Sequence, residues 1–246
     1  MFHEKIYRRR IRQFHNCLKT DRYPERSALA VEYCYEQENP IPYAELDSRG
    51  WSTLEIGDEW AKPWGSAWFR FTGRVPNGWK DRKVIALIDI TGEAAVWKDH
   101  SPWVGLTHVT VDGSLHRKCL VPVLDTAGGG ESIQLLAEGA ANDMFGQGVS
   151  EPYLLREADL AVTDEPVWNL EQDYSFLLEL LETLSPETAR YRRVLSGLNK
   201  IVNTYHSEQI DSCLAITKDL IKTPTGSSRM SAYGIGHGHL DLAWLC

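Results

Sequence analysis

The chain has 246 residues, a formal net charge of -8, 43% hydrophobic and 24% charged residues, which is the composition of a soluble globular protein with one large domain or two small ones. The acidic total argues against a nucleic-acid or anionic-membrane partner, and no apolar run is long enough to cross a bilayer. Five widely spaced cysteines without a Cys-x-x-Cys pair, and an N-terminus with no apolar core of a secretory signal, point to reduced thiols in a cytoplasmic protein.

Residues 3–20 are predicted to be a helix. Tyr7, Ile11, Phe14 and Leu18 recur at helical spacing, while Lys5, Arg8, Arg9, Arg10 and Arg12 occupy the other faces. Against the acidic background, this basic run reads as a solvated face with carboxylate partners rather than a nucleic-acid contact. Residues 21–63 look irregular, and Asn39-Pro40-Ile41-Pro42 disfavours helix because the residue before each proline is pushed out of the helical region. The tryptophan-rich run over 51–64 reads as a tether whose indoles pack onto the next domain.

That domain is β-rich. Residues 68–75 alternate, with Phe69, Phe71 and Val75 inward, and 83–91 alternate on both faces. Further strands are predicted over 93–98, 117–124, 132–138 and 158–164, with 99–113 and the glycine-rich 125–131 irregular. No phosphate-binding loop is present. Short strands with turn signals between them predict an antiparallel sandwich or jelly roll.

After Pro166 the period becomes helical. Leu170, Tyr174, Leu177, Leu178, Leu181 and Leu184 form one stripe. A second helix is expected to open at Ser185-Pro186-Glu187, with serine as its cap, and to bury Tyr191, Leu195, Leu198, Val202 and Tyr205. A third begins near Ser207, with Ile210, Cys213, Leu214, Thr217 and Ile221 on one face. The run 223–228 is a linker by composition.

The last stretch carries the chemistry. If residues 231–241 form a strand, His237, His239 and Asp241 share one face. Imidazole and carboxylate together suit a zinc-like divalent ion, and His-x-Asp at the end of a strand is where α/β barrels build sites. Three ligand-type residues on one face outweigh the reading of two core histidines satisfied by carbonyls.

Gly236-His237-Gly238-His239-Leu240-Asp241-Leu242-Ala243-Trp244-Leu245 resembles the opening motif of the catalytic domain of glycoside hydrolase family 38, the retaining α-mannosidases, and is most similar to the bacterial and cytosolic or vacuolar type. Trp64-Gly65-Ser66-Ala67-Trp68-Phe69-Arg70, Gly92-Glu93-Ala94-Ala95-Val96-Trp97 and Glu138-Gly139-Ala140-Ala141-Asn142-Asp143-Met144-Phe145-Gly146 resemble motifs of the β domain of that group. The first fifty residues match loosely.

The resemblance implies an α+β chain in four parts. These are an N-terminal helix and tether over 1–50, an antiparallel β-sandwich of jelly-roll, galactose-binding-like form over 51–165, a helical linker over 166–224, and the first strand of a truncated catalytic α/β barrel over 231–246. It implies that His239 and Asp241 are two ligands of one zinc (or another divalent ion such as cobalt) that holds O2 and O3 of mannose. His237 is then a neighbour, and Trp244 lies beside the sugar. The nucleophile and acid/base, which retention places about 5 Å apart, would follow later in a longer protein, so the 246 residues are expected to be inactive alone. The implied partner is an α-mannoside glycan, with homo-oligomer formation compatible, and the β domain is expected to act as scaffold.

Two other readings stand beside this one. His237 and His239 as a His-x-His pair would suit a metal-dependent amidohydrolase. Alternatively the sandwich is a carbohydrate-binding module, with Trp79, Trp97 and Trp103 as candidates for stacking a sugar.

Overall fold

The computed structural model describes residues 2–111, 114–142, 152–205, 209–222 and 233–236. The chain divides into two compact units, one from the described residues of 1–11 and 173–246, the other from those of 12–172.

In chain order the elements are α1 (Phe2–Asp21), β1 (Glu25–Ala28), β2 (Ala30–Glu36), a 3-10 turn (Tyr43–Ser48), β3 (Ser52–Thr53), β4 (Glu59–Ala61), β5 (Ser66–Arg74), β6 (Val84–Asp89) and β7 (Glu93–Lys98). They continue with β8 (Ser101–Val111), β9 (Ser114–Lys118), β10 (Leu120–Leu124), β11 (Ser132–Ala140), β12 (Tyr153–Leu154), β13 (Glu157–Val162), α2 (Glu165–Thr183), α3 (Ala189–Thr204) and α4 (Ile210–Lys222). The expected order of N-terminal helix, antiparallel jelly-roll sandwich and helices is what the chain adopts.

The larger unit contains a four-stranded sheet, β1-β13-β6-β10, and a seven-stranded sheet, β3-β2-β5-β11-β7-β8-β9. All pairings are antiparallel. The alternation of β5 sends Phe69 and Phe71 into the core, both fully buried, and Val75 follows them. Each such burial is worth about 1.5–3 kcal/mol over exposure. Strand β6 is buried on both faces. Val84, Ala86 and Ile88 join the main core, while Ile85 and Leu87 pack with Tyr23 and Ala161 on the other side.

Several expectations are corrected. Residues 25–36 are not irregular: β1 pairs with β13 and β2 with β5, so both belong to the sandwich. Residues 101–111 form β8, paired with β7 and β9. The strand expected over 117–124 is two strands in different sheets, because the chain crosses at Cys119, whose carbonyl accepts from Ile88 N–H at 2.8 Å. The tether divides by residue: Trp60 is 2% exposed and donates Nε1–H to Ile90 O at 2.6 Å, whereas Trp64 is 67% exposed.

In the smaller unit, α3 and α4 pack together with Leu220 against Gly197, and Leu198, Ile201 and Cys213 are buried. Arg8 of α1 bonds Glu182 and the Tyr191 hydroxyl, and Arg10 donates to Asn199 and Asn203 at 3.0 and 2.9 Å. Of the basic run, Arg8 thus finds the expected carboxylate partner and Arg10 is held by asparagine oxygens instead. The cap of α3 is Thr188, whose Oγ1 accepts from Tyr191 N–H at 3.2 Å, and not Ser185. Tyr7 and Ile221, expected on apolar faces, are exposed. Cys17, Cys34, Cys119 and Cys213 are free thiols.

Candidate functional site

His237, His239, Asp241 and Trp244 lie outside the described residues, as does most of the strand expected over 231–241. Of that strand, residues 233–236 are described. They carry no regular secondary structure, and Tyr233 and Ile235 are exposed. Among the described residues no group of three or more His, Cys, Asp or Glu is placed to hold a metal ion.

The aromatic candidates separate cleanly. Trp79 is buried and donates Nε1–H to Glu25 at 2.8 Å. Trp97 is half-buried, with one face stacked on Tyr43 at 5.2 Å and Trp68 tilted against it at 5.1 Å. Its Nε1 is buried with no partner. Trp103 is 43% exposed, with Lys98 Nζ 4.8 Å over one face. Packing therefore claims Trp79 and part of Trp97, and Trp103 is the most exposed of the three.

The strongest charged constellation was not predicted. Asp89, 4% exposed on β6, lies 2.8 Å from His108 Nδ1 on β8, accepts Arg117 Nε–H at 2.6 Å from β9, and accepts Thr91 N–H at 3.0 Å. Arg117 also bonds Glu157, which binds Arg26 at 2.6 Å. Burial pushes the Asp89 carboxyl up, but the hydrogen bonds from Thr91, His108 and Arg117 outweigh it and hold the group below the usual carboxylate range. Three groups from β8, β9 and the turn after β6 converge on the Asp89 carboxylate, so this cluster ties the two sheets together.

The three motif segments that carry the resemblance meet at one end of the seven-stranded sheet. Trp64 N–H donates to Ala141 O at 2.5 Å, and Ala141 N–H donates to Gly65 O at 2.9 Å. Asn142 Nδ2–H donates to Glu93 Oε2 at 2.8 Å. Strand β11 runs between β5 and β7 and holds the three in register. The quoted motifs contained these residues, but their meeting depends on strand order, which local spacing does not encode.

The fold and this junction define a class: an antiparallel jelly-roll domain joined to helices. More particularly, a family model described as the alpha-mannosidase jelly roll domain matches residues 25–172, and the chain belongs to that family. It is 28% identical to mouse (Mus musculus) alpha-mannosidase 2C1 over 217 residues, covering 83% of this chain and 20% of that protein. It is 28% identical to the human (Homo sapiens) alpha-mannosidase 2C1 over 219 residues with the same shares. The chain thus spans about 20% of the length of the curated relatives it matches. Among solved structures, a Faecalibacterium prausnitzii beta-glucuronidase overlays 56% of this chain and 31% of its own at a TM-score of 0.37 and 11% identity.

Proposed function

We propose that the chain supplies the jelly roll, the helical segment and the first metal-binding strand of a retaining, metal-dependent α-mannosidase that removes terminal α-mannosides from oligosaccharides or glycans. The observation that carries this reading is the family match over residues 25–172. The terminal Gly236-His237-Gly238-His239-Leu240-Asp241 supports it.

In this reading His239 and Asp241 are the first two ligands of a zinc- or cobalt-class ion, and Trp244 lies against the sugar. One imidazole and one carboxylate fit such an ion, though two ligands do not complete its shell. The ion, when bound, supplies a fixed geometry for adjacent sugar hydroxyls. The chain's own residues here bind and orient, and the 246 residues alone are inactive. The protein is cytoplasmic and compatible with a homo-oligomer. No helix among the described residues is long and apolar enough to cross a membrane.

The test is direct. The purified 246-residue chain, supplied with zinc or cobalt, should release no 4-nitrophenol from 4-nitrophenyl α-mannoside. The same chain read in frame through the coding sequence after Cys246 should release it, and His239→Ala and Asp241→Asn should each abolish the activity. Turnover by the 246 residues alone, or an extended protein without α-mannosidase activity, overturns the proposal.

A further inference from the structure

The amide carbon of an asparagine side chain is a latent electrophile, open to attack by the backbone nitrogen of the next residue. The attack needs a small next residue, a backbone free to bend and a side chain not held elsewhere. Of the seven asparagines, Asn77 alone is followed by glycine. Asn16, Asn169, Asn199 and Asn203 lie within α1, α2 and α3, where the regular backbone holds the next nitrogen away from the side chain. Arg10 also holds the side-chain oxygens of Asn199 and Asn203. Asn39 precedes Pro40, whose nitrogen carries no proton to lose. The Asn142 amide is spent on Glu93 at 2.8 Å.

Asn77 differs on each count. Asn77 and Gly78 are both exposed, and nothing lies within 4 Å of the position a Cβ on Gly78 would take. Among the described residues the Asn77 side chain takes no hydrogen bond. The two residues belong to a single 3-10 turn, Asn77–Trp79, closed by Trp79 N–H donating to Pro76 O at 3.0 Å. The ends of the turn are anchored, because Val75 and Trp79 are buried and Trp79 Nε1–H donates to Glu25 at 2.8 Å. Its tip opens by losing one backbone hydrogen bond, and short exposed turns open at little cost.

The neighbours of Asn77 give a chemical change there a structural consequence. Gly129 and Gly130, between β10 and β11, stand against it so closely that a Cβ on either would lie 2.9 Å from Asn77 O and Oδ1 respectively. Their φ values are 87 and 90, a region that glycine adopts without strain. Gly130 N–H donates to Val75 O and Val75 N–H to Glu131 O, each at 2.9 Å. Backbone thus packs on backbone, and a longer main chain at Asn77 has no room on that side.

We propose that Asn77-Gly78 is a site of spontaneous deamidation and isomerisation set at the edge of the jelly roll. Gly78 N gives up its proton to hydroxide and attacks Asn77 Cγ. The new N–Cγ bond closes a succinimide ring, the Cγ–Nδ2 bond breaks, and the amide leaves as ammonia with the proton returned from water. A second water opens the ring at either carbonyl, giving aspartate or isoaspartate at position 77. Water is the only reagent consumed, and nothing is oxidised or reduced. Both products add a negative charge to a chain already at -8. Isoaspartate also carries one more methylene in its main chain, which presses on Gly129 and loosens the 128–131 segment from Val75. The site owes nothing to the α-mannosidase reading, and its test reads mass and melting rather than turnover.

The 246-residue chain, kept warm in mildly alkaline buffer, should gain one dalton in the peptide that carries Asn77. Part of that peptide should accept a methyl group from a protein isoaspartate methyltransferase used as a reagent. The folded chain should react within about tenfold of the urea-unfolded chain, since one backbone hydrogen bond is all that restrains the turn. Gly78→Ala should slow the reaction by about tenfold or more, because a Cβ restricts the backbone that must bend. Aged chains separated by anion exchange should include an isoaspartate form that melts below the unaged chain, whereas Asn77→Asp should melt with it. No gain at Asn77 overturns the proposal, as does a gain shared evenly with the other asparagines. So do protection by folding of more than about tenfold, and an isoaspartate form that melts with the unaged chain. Each of these can be read on the unaltered sequence, so none depends on a variant that folds.

Discussion

His108 Nδ1 lies 2.8 Å from both carboxylate oxygens of Asp89, and the two residues belong to opposite sheets of the sandwich. Arg117 Nε joins the same carboxylate at 2.6 Å from β9. A sandwich held by apolar contacts alone tolerates some sliding of one sheet on the other, whereas this junction allows one register. Replacing Asp89 with Asn removes the charge but leaves Arg117 and His108 aimed at a neutral amide. With the Asp89 side chain only 2% exposed, the expected loss is about 3 kcal/mol, read as a lower urea midpoint at unchanged slope. An unchanged midpoint would show that the junction contributes nothing to stability.

The pH dependence follows chiefly from the two buried carboxyls held below their ordinary range. Asp89 is one. Glu171 is the other: burial pushes it up, but the hydrogen bond from His15 at 2.9 Å and the charge of Arg22, also at 2.9 Å, outweigh that. A depressed carboxyl binds its proton more weakly in the folded chain than in the unfolded one. Its contribution is therefore full above the unfolded value of about 4 and is lost as pH falls through the folded value. The melting temperature should hold between neutral pH and about pH 5, then fall steeply as the unfolded chain takes up protons. Glu171→Gln should lower stability at neutral pH and flatten the acid limb. An acid limb as steep as that of the unaltered chain would remove Glu171 from the account.

Strands β5 and β6 were readable because their own residues declare the pattern: Phe69 and Phe71 alternate with Trp68 and Arg70, and β6 is apolar up to its last residue, Asp89. Strands β1 and β2 were not, because Glu25, Arg26, Glu32 and Glu36 make the local composition polar and their partners, β13 and β5, are distant in sequence. The pattern of β8 is broken by the register shift opposite Val96 and Trp97 and by a polar inward residue, His108, used to reach Asp89. Residues 117–124 read as one strand because the crossover at Cys119 leaves no break in the run of β-favouring residues. The junction of the three motif segments is hidden for the same reason as β2, because strand order alone brings Trp64 to Ala141 and Glu93 to Asn142.

Gly92 opens one of the motif segments, and packing gives a reason for glycine there. A Cβ would lie 2.9 Å from the Ala140 carbonyl oxygen and 3.4 and 3.5 Å from the rings of Tyr153 and Trp60. The oxygen belongs to a paired strand and cannot withdraw. At Gly73 a Cβ would meet Leu29 Cδ2 at 2.6 Å, the far end of a flexible side chain. Gly92→Ala should cost about 2–3 kcal/mol as overpacking and Gly73→Ala less, about 1 kcal/mol. Thermal melts of the two variants give the order, and the reverse order would mean that the β11 backbone yields more readily than the Leu29 side chain.

The start of α3 offers a comparison between two candidate caps three residues apart. Serine followed by proline and glutamate is a strong local signal for a helix N-terminus, yet the helix begins one turn later, at Ala189. The turn beginning at Ser185 closes instead through Thr188, whose N–H and hydroxyl both donate to Ser185 O, at 3.0 and 2.7 Å. Thr188 Oγ1 then accepts from Tyr191 N–H, satisfying a donor that the helix itself leaves open. Tyr191 is buried, and its hydroxyl bonds Arg8 and Glu4, so the cap also fixes where that ring enters the smaller unit. Thr188→Ala should therefore lower stability by about 1–2 kcal/mol, the upper part of the range for a lost cap. Ser185→Ala, which removes only a hydroxyl, should change it by less than about 0.5 kcal/mol. Urea unfolding of both variants decides between the caps, because a serine cap would reverse the two values.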